Sequence, residues 1–221
     1  MFLTELNAAE RIRDGLLPSP YPFQNMSLVN LRITGTGLAY RSKHKEYVWR
    51  DPATFLNSQF LARCCGLPVI LNHPDNEMLD GRESETRIVG TVMLPYIRGD
   101  EIWAICRIYG SGIVNLIQKG GVSTSPSVVF CRDSGCIDVP EGDENFLFEG
   151  TPFLLDHIAL VPLGVWDKDG KPAGVDVTEQ PEEVQIVGMV KAAMAVAIEP
   201  TLEKLSALSD RLDEIEKMSA A

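Results

Sequence analysis

Gly120-Gly121-Val122-Ser123-Thr124-Ser125-Pro126-Ser127-Val128-Val129-Phe130 reads as a strand that leaves a helix at a glycine pair. Just before it, Ile113, Leu116 and Ile117 recur at helical spacing, Ser111 is a candidate cap, and Lys119 with Gly120 marks the stop. Behind the glycines the period becomes two, so Ser123, Ser125 and Ser127 share one face of a regular strand. Periodicity alone does not choose among the three hydroxyls.

Outward from that stretch, short apolar runs repeat. Met26 to Leu38 carries Leu28, Leu31 and Ile33 before the Gly35-Thr36-Gly37 break and is expected as a first strand. Gly66 to Pro74 is a buried strand that delivers His73 at its exit, Ile88 to Leu94 the next strand, and Ile102 to Ile108 a third. Leu154 to Pro162 is another, with His157 inside it. Helices are expected over 4–16, with Thr4 as cap, and from Asp51-Pro52 toward Cys64. Tyr40 to Trp49, the acidic stretch Asp75 to Arg87 and the segment from Cys131 to Phe146 read as polar connections, and 163–180 as turns and linker. From 182 to 218, Val187, Val190, Met194 and, after Pro200, Leu202, Leu205, Leu208, Leu212 and Ile215 follow helical spacing with charges between them. The expected organisation is an N-terminal arm (1–25), a domain over 26–176 and a helical tail over 177–221. The fold class is α+β, mainly β: a closed antiparallel β-barrel flanked by helices.

A chain of 221 residues with 45% apolar composition buries a sizeable core. The formal charge of -11, with no Lys/Arg cluster, argues against a nucleic-acid partner. No apolar run approaches the roughly 20 residues of a spanning helix, so no membrane partner is expected and a soluble, cytoplasmic protein is. The five cysteines, Cys64, Cys65, Cys106, Cys131 and Cys136, form no C-x-x-C pair and suit a reducing compartment as buried thiols. A zinc site from Cys131, Cys136 and the Cys64-Cys65 pair matches no common ligand spacing. No cofactor or metal is therefore expected.

A serine becomes a nucleophile when a base lies in hydrogen-bond reach and a third group fixes that base's tautomer. Ser123, His73 and His157 supply these three types, and tertiary contact can assemble them in any chain order. His44, within Arg41-Ser42-Lys43-His44-Lys45, reads as solvated. At Leu67-Pro68-Val69-Ile70-Leu71-Asn72-His73, at Gly121-Val122-Ser123-Thr124-Ser125, and at His157-Ile158-Ala159-Leu160 followed by Gly164, the chain resembles the herpesvirus assemblin and phage prohead protease superfamily. The resemblance spans about residues 30 to 165, in the same order and with similar spacing.

That resemblance implies a serine endopeptidase that cuts scaffold and capsid proteins, and sometimes itself, during prohead maturation inside the immature capsid in the host cytoplasm. It implies Ser123 as nucleophile, His73 as general base and His157 as third member. Asp156 is the rival orienting group, but on a regular strand it points to the face opposite His157. Where the superfamily has two arginines after the glycine, this chain has Val165-Trp166, so the backbone of Gly164-Val165 is the expected oxyanion donor. The expected partners are scaffold and major capsid protein as substrates, and a second copy bound through barrel helices or the C-terminal helix. The Val190 to Ala195 segment resembles sites cut by such proteases and suggests self-cleavage near Ala192. The alternative is a catalytically weak protease fold that serves as a scaffold or assembly factor. A small-molecule hydrolase is disfavoured because no G-x-S-x-G elbow is present.

Overall fold

A computed structural model describes residues 3–41, 44–76, 78–141 and 144–178. They belong to one compact unit, Met1–Glu179, and the expected helical tail with its Ala192 site lies outside the described residues. In chain order the strands are β1 (Tyr21–Phe23), β2 (Met26–Gly35), β3 (Gly37–Arg41), β4 (Glu46–Arg50), β5 (Pro68–Leu71), β6 (Ile88–Arg98), β7 (Glu101–Ile108), β8 (Ser123–Val129), β9 (Ile137–Glu141), β10 (Glu144–Glu149), β11 (Leu154–Val161) and β12 (Val175–Asp176). The helices are α1 (Glu5–Arg13), α2 (Pro52–Phe55), α3 (Ser58–Cys64), α4 (Gly81–Arg87) and α5 (Ser111–Gln118). None of them is long and apolar enough to cross a membrane.

The main sheet runs β1-β2-β7-β6-β5-β11-β8, with β12 also on β2. Alternation in β2 decides its two environments. Val29, Leu31 and Ile33 enter the larger core with Val69, Ile102, Ile108, Ile158 and Leu160. Leu28 faces the other way and packs with Ala8, Ala9, Ile12 and Ile105. The N-terminal segment expected as an arm is thus packed: the Thr4 hydroxyl caps α1 by accepting from the Asn7 N–H at 3.2 Å, and Ala8 and Ala9 are fully buried.

The mainly β, α+β class holds, but the expected closed antiparallel barrel does not. The sheet is open and mixed, since β5 and β11 pair in parallel and no ladder joins β8 to β2 among the described residues. The free edge of β2 is occupied by β1 and β12. The segment after β11 fills the seam that remains. Gly174 accepts from the Arg32 N–H of β2 at 2.8 Å and donates to Ser123 Oγ of β8 at 3.0 Å. A Cβ at Gly174 would meet Ser123 Oγ at 2.5 Å and the Thr124 backbone nitrogen at 2.5 Å, so the position requires glycine.

A buried carboxylate clasps the same seam. Asp167 accepts from Ser123 Oγ at 2.7 Å, from Arg32 Nη2 at 2.5 Å, and from the N–H groups of Gly164 at 2.6 Å and Ala173 at 3.0 Å. Its side chain is 1% exposed and that of Arg32 is 3% exposed.

The second sheet, β3-β4-β10-β9, replaces the polar connections expected over Tyr40 to Trp49 and within Cys131 to Phe146. Its inner face carries Val48, Arg50 and Glu149, all buried. Arg50 Nε donates to Glu149 Oε2 at 2.5 Å, Arg50 also donates to Thr34 of β2, and its guanidinium lies 5.0 Å from the Trp166 ring. This pair ties the small sheet to the large one. Helix α4 likewise forms in the expected acidic loop because Asp80 caps it, accepting from the Glu83 N–H at 2.7 Å.

Removing the seam carboxylate leaves the buried Arg32 guanidinium short of a partner. Asp167→Ala should therefore lower the unfolding free energy by about 3 kcal/mol. Urea unfolding checks this as a midpoint shift at constant slope, and an unchanged midpoint would show that the seam does not depend on this group.

Candidate active site

Strand β11 lies between β5 and β8, which brings the expected histidines and the serine strand together. The pairing of β11 with β8 sets His157 opposite Ser127, Ala159 opposite Ser125 and Val161 opposite Ser123. Between Leu155 and His157 the register shifts by one residue, and Asp156 is the extra residue of a β-bulge. The bulge has two effects. Leu155 stays with Val128 in the core, whereas His157 turns to the serine face. Asp156 also projects toward the His157 ring, with Oδ2 at 2.7 Å from Nδ1. The regular-strand expectation that Asp156 and His157 face apart fails for this reason.

His73 arrives from the end of β5. Asn72 adopts φ 57, a conformation that asparagine tolerates better than most residues, and its N–H donates to the Leu160 carbonyl at 3.0 Å. This turn brings His73 Nδ1 to 2.8 Å from His157 Nε2, with ring centroids 5.0 Å apart. His157 is fully buried, and His73 is exposed.

Elementary proton accounting fixes both rings. A carboxylate only accepts, so His157 Nδ1 carries the hydrogen that faces Asp156. Burial lowers the pKa of His157 against the opposing pull of the Asp156 charge, so the ring is held neutral and its Nε2 is an acceptor. His73 must then donate from Nδ1, which leaves the lone pair of neutral His73 on Nε2. Asp156 is itself held by the Leu79 N–H, which donates to Oδ2 at 2.9 Å. Asp156, His157 and His73 thus form a line that runs from a carboxylate, through a buried neutral ring, to a base at the surface.

Ser123 stands apart from that line. It is fully buried, donates to Asp167 and accepts from Gly174. Ser125 and Ser127 are half-buried on the same face of β8. The Gly164 N–H, expected at an oxyanion, donates to Asp167 Oδ2 at 2.6 Å and closes a turn in which the Asp167 N–H reaches the Gly164 carbonyl at 3.1 Å. Val165 is the next residue of that turn, and Trp166 is buried against Gly35. Arginine does reach this loop, though from β2: Arg32 Nη1 donates to the Trp166 carbonyl at 3.0 Å. The spacing of neither Arg32 nor Asp167 marks them in the sequence.

The five cysteines are free thiols, but of the expected buried set two, Cys64 and Cys106, are buried, whereas Cys65, Cys131 and Cys136 are exposed. Burial pushes the Cys64 thiol up to about 12. Among the described residues no group of three or more His, Cys, Asp or Glu side chains is arranged to hold a metal ion.

The lowered pKa of His157 gives a stability prediction with a definite sign. Below pH about 6.5 an unfolded histidine binds a proton that the folded one refuses, so the unfolded state carries more protons and stability falls with decreasing pH. The slope from this one group is at most about 1.4 kcal/mol per pH unit. Urea unfolding at pH 7.5 and 5.5 should show the loss, and His157→Gln should reduce it; equal losses in both proteins would exclude His157 as the cause. Comparison of the chain with protein-family profiles, with curated protein sequences and with solved structures gives no match.

Proposed function

We propose that the protein is a serine endopeptidase of the prohead-protease type, acting on scaffold and capsid proteins of an assembling phage shell. The observation that carries this reading is the Asp156–His157–His73 line beside a strand of alternate serines. It has the order of parts that nucleophilic acyl transfer requires: a surface base, a ring that fixes its tautomer, and a charge behind that ring.

The nucleophile that the geometry favours is Ser125. Ser123, the candidate from the sequence motif, is enclosed and committed to Asp167. It also stands four residues along the strand from the position opposite His157, a distance of about 13 Å. Ser127 faces His157 directly. Ser125 is the diagonal neighbour of His157, at about 7–8 Å, a separation that the His73 ring would have to bridge in this reading. Ser125 makes no side-chain hydrogen bond among the described residues.

In the proposed reaction His73 Nε2 takes the Ser125 proton as Oγ attacks the scissile carbonyl. The imidazolium formed keeps donating from Nδ1 to His157, whose other nitrogen faces the Asp156 charge. His73 then gives the proton to the leaving amine, and a water deprotonated by the same nitrogen hydrolyses the acyl-enzyme. The Gly164 N–H is spent on Asp167, and its turn packs on Ser123 and Thr124, so the Gly164-Val165 backbone expected at the oxyanion is not assigned to it in this reading.

Co-expression with scaffold and capsid proteins, with fragment masses followed, tests the assignment. Ser125→Ala should abolish processing, and a fluorophosphonate should label Ser125. Ser123→Ala should lower stability yet retain cleavage by folded molecules. Undiminished processing by Ser125→Ala would overturn the nucleophile, and processing undiminished in His73→Ala would overturn the protease reading itself.

A further inference from the structure

The small sheet presents an apolar face that the proposed protease site does not use. Cross-strand register lines up Leu38, Trp49, Phe148 and Ile137 in one row across all four strands. The next row on the same face is Tyr40, Tyr47, Phe146 and Val139. The face is filled edge to edge by aliphatic and aromatic groups and carries no charge at these positions. Tyr47 and Phe146 stack with centroids 4.9 Å apart and an interplanar angle of 18°, which keeps the surface flat. Leu38 is 58% exposed and Ile137 61%, at the two edges, while Trp49 and Phe148 between them are 40% and 42% exposed.

We propose that this face is a homodimer interface, with a second copy of the chain packed on it sheet to sheet. Large apolar side chains exposed to this degree offer roughly 600 Å² per copy, or roughly 1,200 Å² in total, the lower range of specific interfaces and at the upper limit for a patch left open on a monomer. Two such faces pack in the aligned manner of sheet layers, with their rows interdigitating. A two-fold arrangement needs only this one surface, because each copy offers the other the same rows. The eight positions of the two rows carry no charge, so the net charge of -11 makes no attraction across them, and salt screens the repulsion it adds. Dimerisation therefore tightens as salt is raised, the reverse of a contact made by charge attraction.

Sedimentation equilibrium of the full chain between about 1 and 100 µM, the range over which interfaces of this size dissociate, tests the proposal. The unmodified chain should be dimeric at the upper end, and Leu38→Lys and Ile137→Lys should each weaken association at least about tenfold. Trp49 provides a local readout in the unmodified protein, because Trp103 and Trp166 are only 2% and 7% exposed. Its emission should shift to the red as dilution separates the copies. A monomer at every concentration would overturn the interface, as would undiminished dimerisation of both lysine variants or an emission that stays constant through dissociation. If a lysine variant fails to fold, the Trp49 dilution measurement still decides.

Discussion

The ion pair between Asp167 and Arg32 is the constraint on which the rest of the unit depends, because it holds the one place where the sheet does not hold itself. Backbone ladders join each strand from β2 round to β8 and stop there. Closing the gap with a further ladder would need the edge of β2, which β1 and β12 occupy. Side chains do the work instead. A carboxylate taken out of water is costly unless several donors meet it, and Asp167 receives one from β8, one from β2 and two from its own loop. The loop after β11, the first strand of the large core and the serine strand are thereby fixed in one frame.

Asp156 solves a different problem. The same β11 strand must send Leu155, Ile158 and Leu160 into the core and yet present His157 on the opposite face. Strict alternation would put residues 155 and 157 on one side. Adding one residue resolves the conflict, and the added residue is the aspartate that the histidine needs. The inserted carboxylate and the re-aimed ring are therefore one structural event, which explains why the first two members of the line are adjacent on a strand. Exposure then rises along the line, from His157 at 0% to His73 at the surface, so the ring proposed as the base is the one that solvent reaches.

Much of the large sheet was legible because its strands are apolar on one or both faces, and the period of two stands out in Ile102 to Ile108 and in Leu154 to Val161. His73 and His157 were legible as strand-borne partners for the same reason. The small sheet was not, since its outer rows alternate with Arg41, Glu46, Arg50, Asp138 and Glu149, charges that read as loop until Arg50 and Glu149 are seen to neutralise each other inside. The bulge at Asp156 has no glycine to announce it and follows from tertiary competition between core and site. The three serines were legible as a set but not as individuals, because their separate fates are decided by what packs over each end of β8.

Those fates turn on the difference between two carboxylates beside one strand. Asp167 faces a buried guanidinium and two backbone N–H groups, and between them they hold Ser123 as a fixed strut. Asp156 faces an imidazole that burial keeps neutral, and in the proposed reaction its charge acts when a proton arrives at His73. The same residue type thus serves as a clamp at one end of the strand and as an electrostatic reserve toward the other. A hydroxyl bound to the clamp stabilises the fold. In the proposed reaction the hydroxyl to be deprotonated is one beside the line that ends at His73, and this contrast, more than position in a motif, is the ground for choosing Ser125 over Ser123.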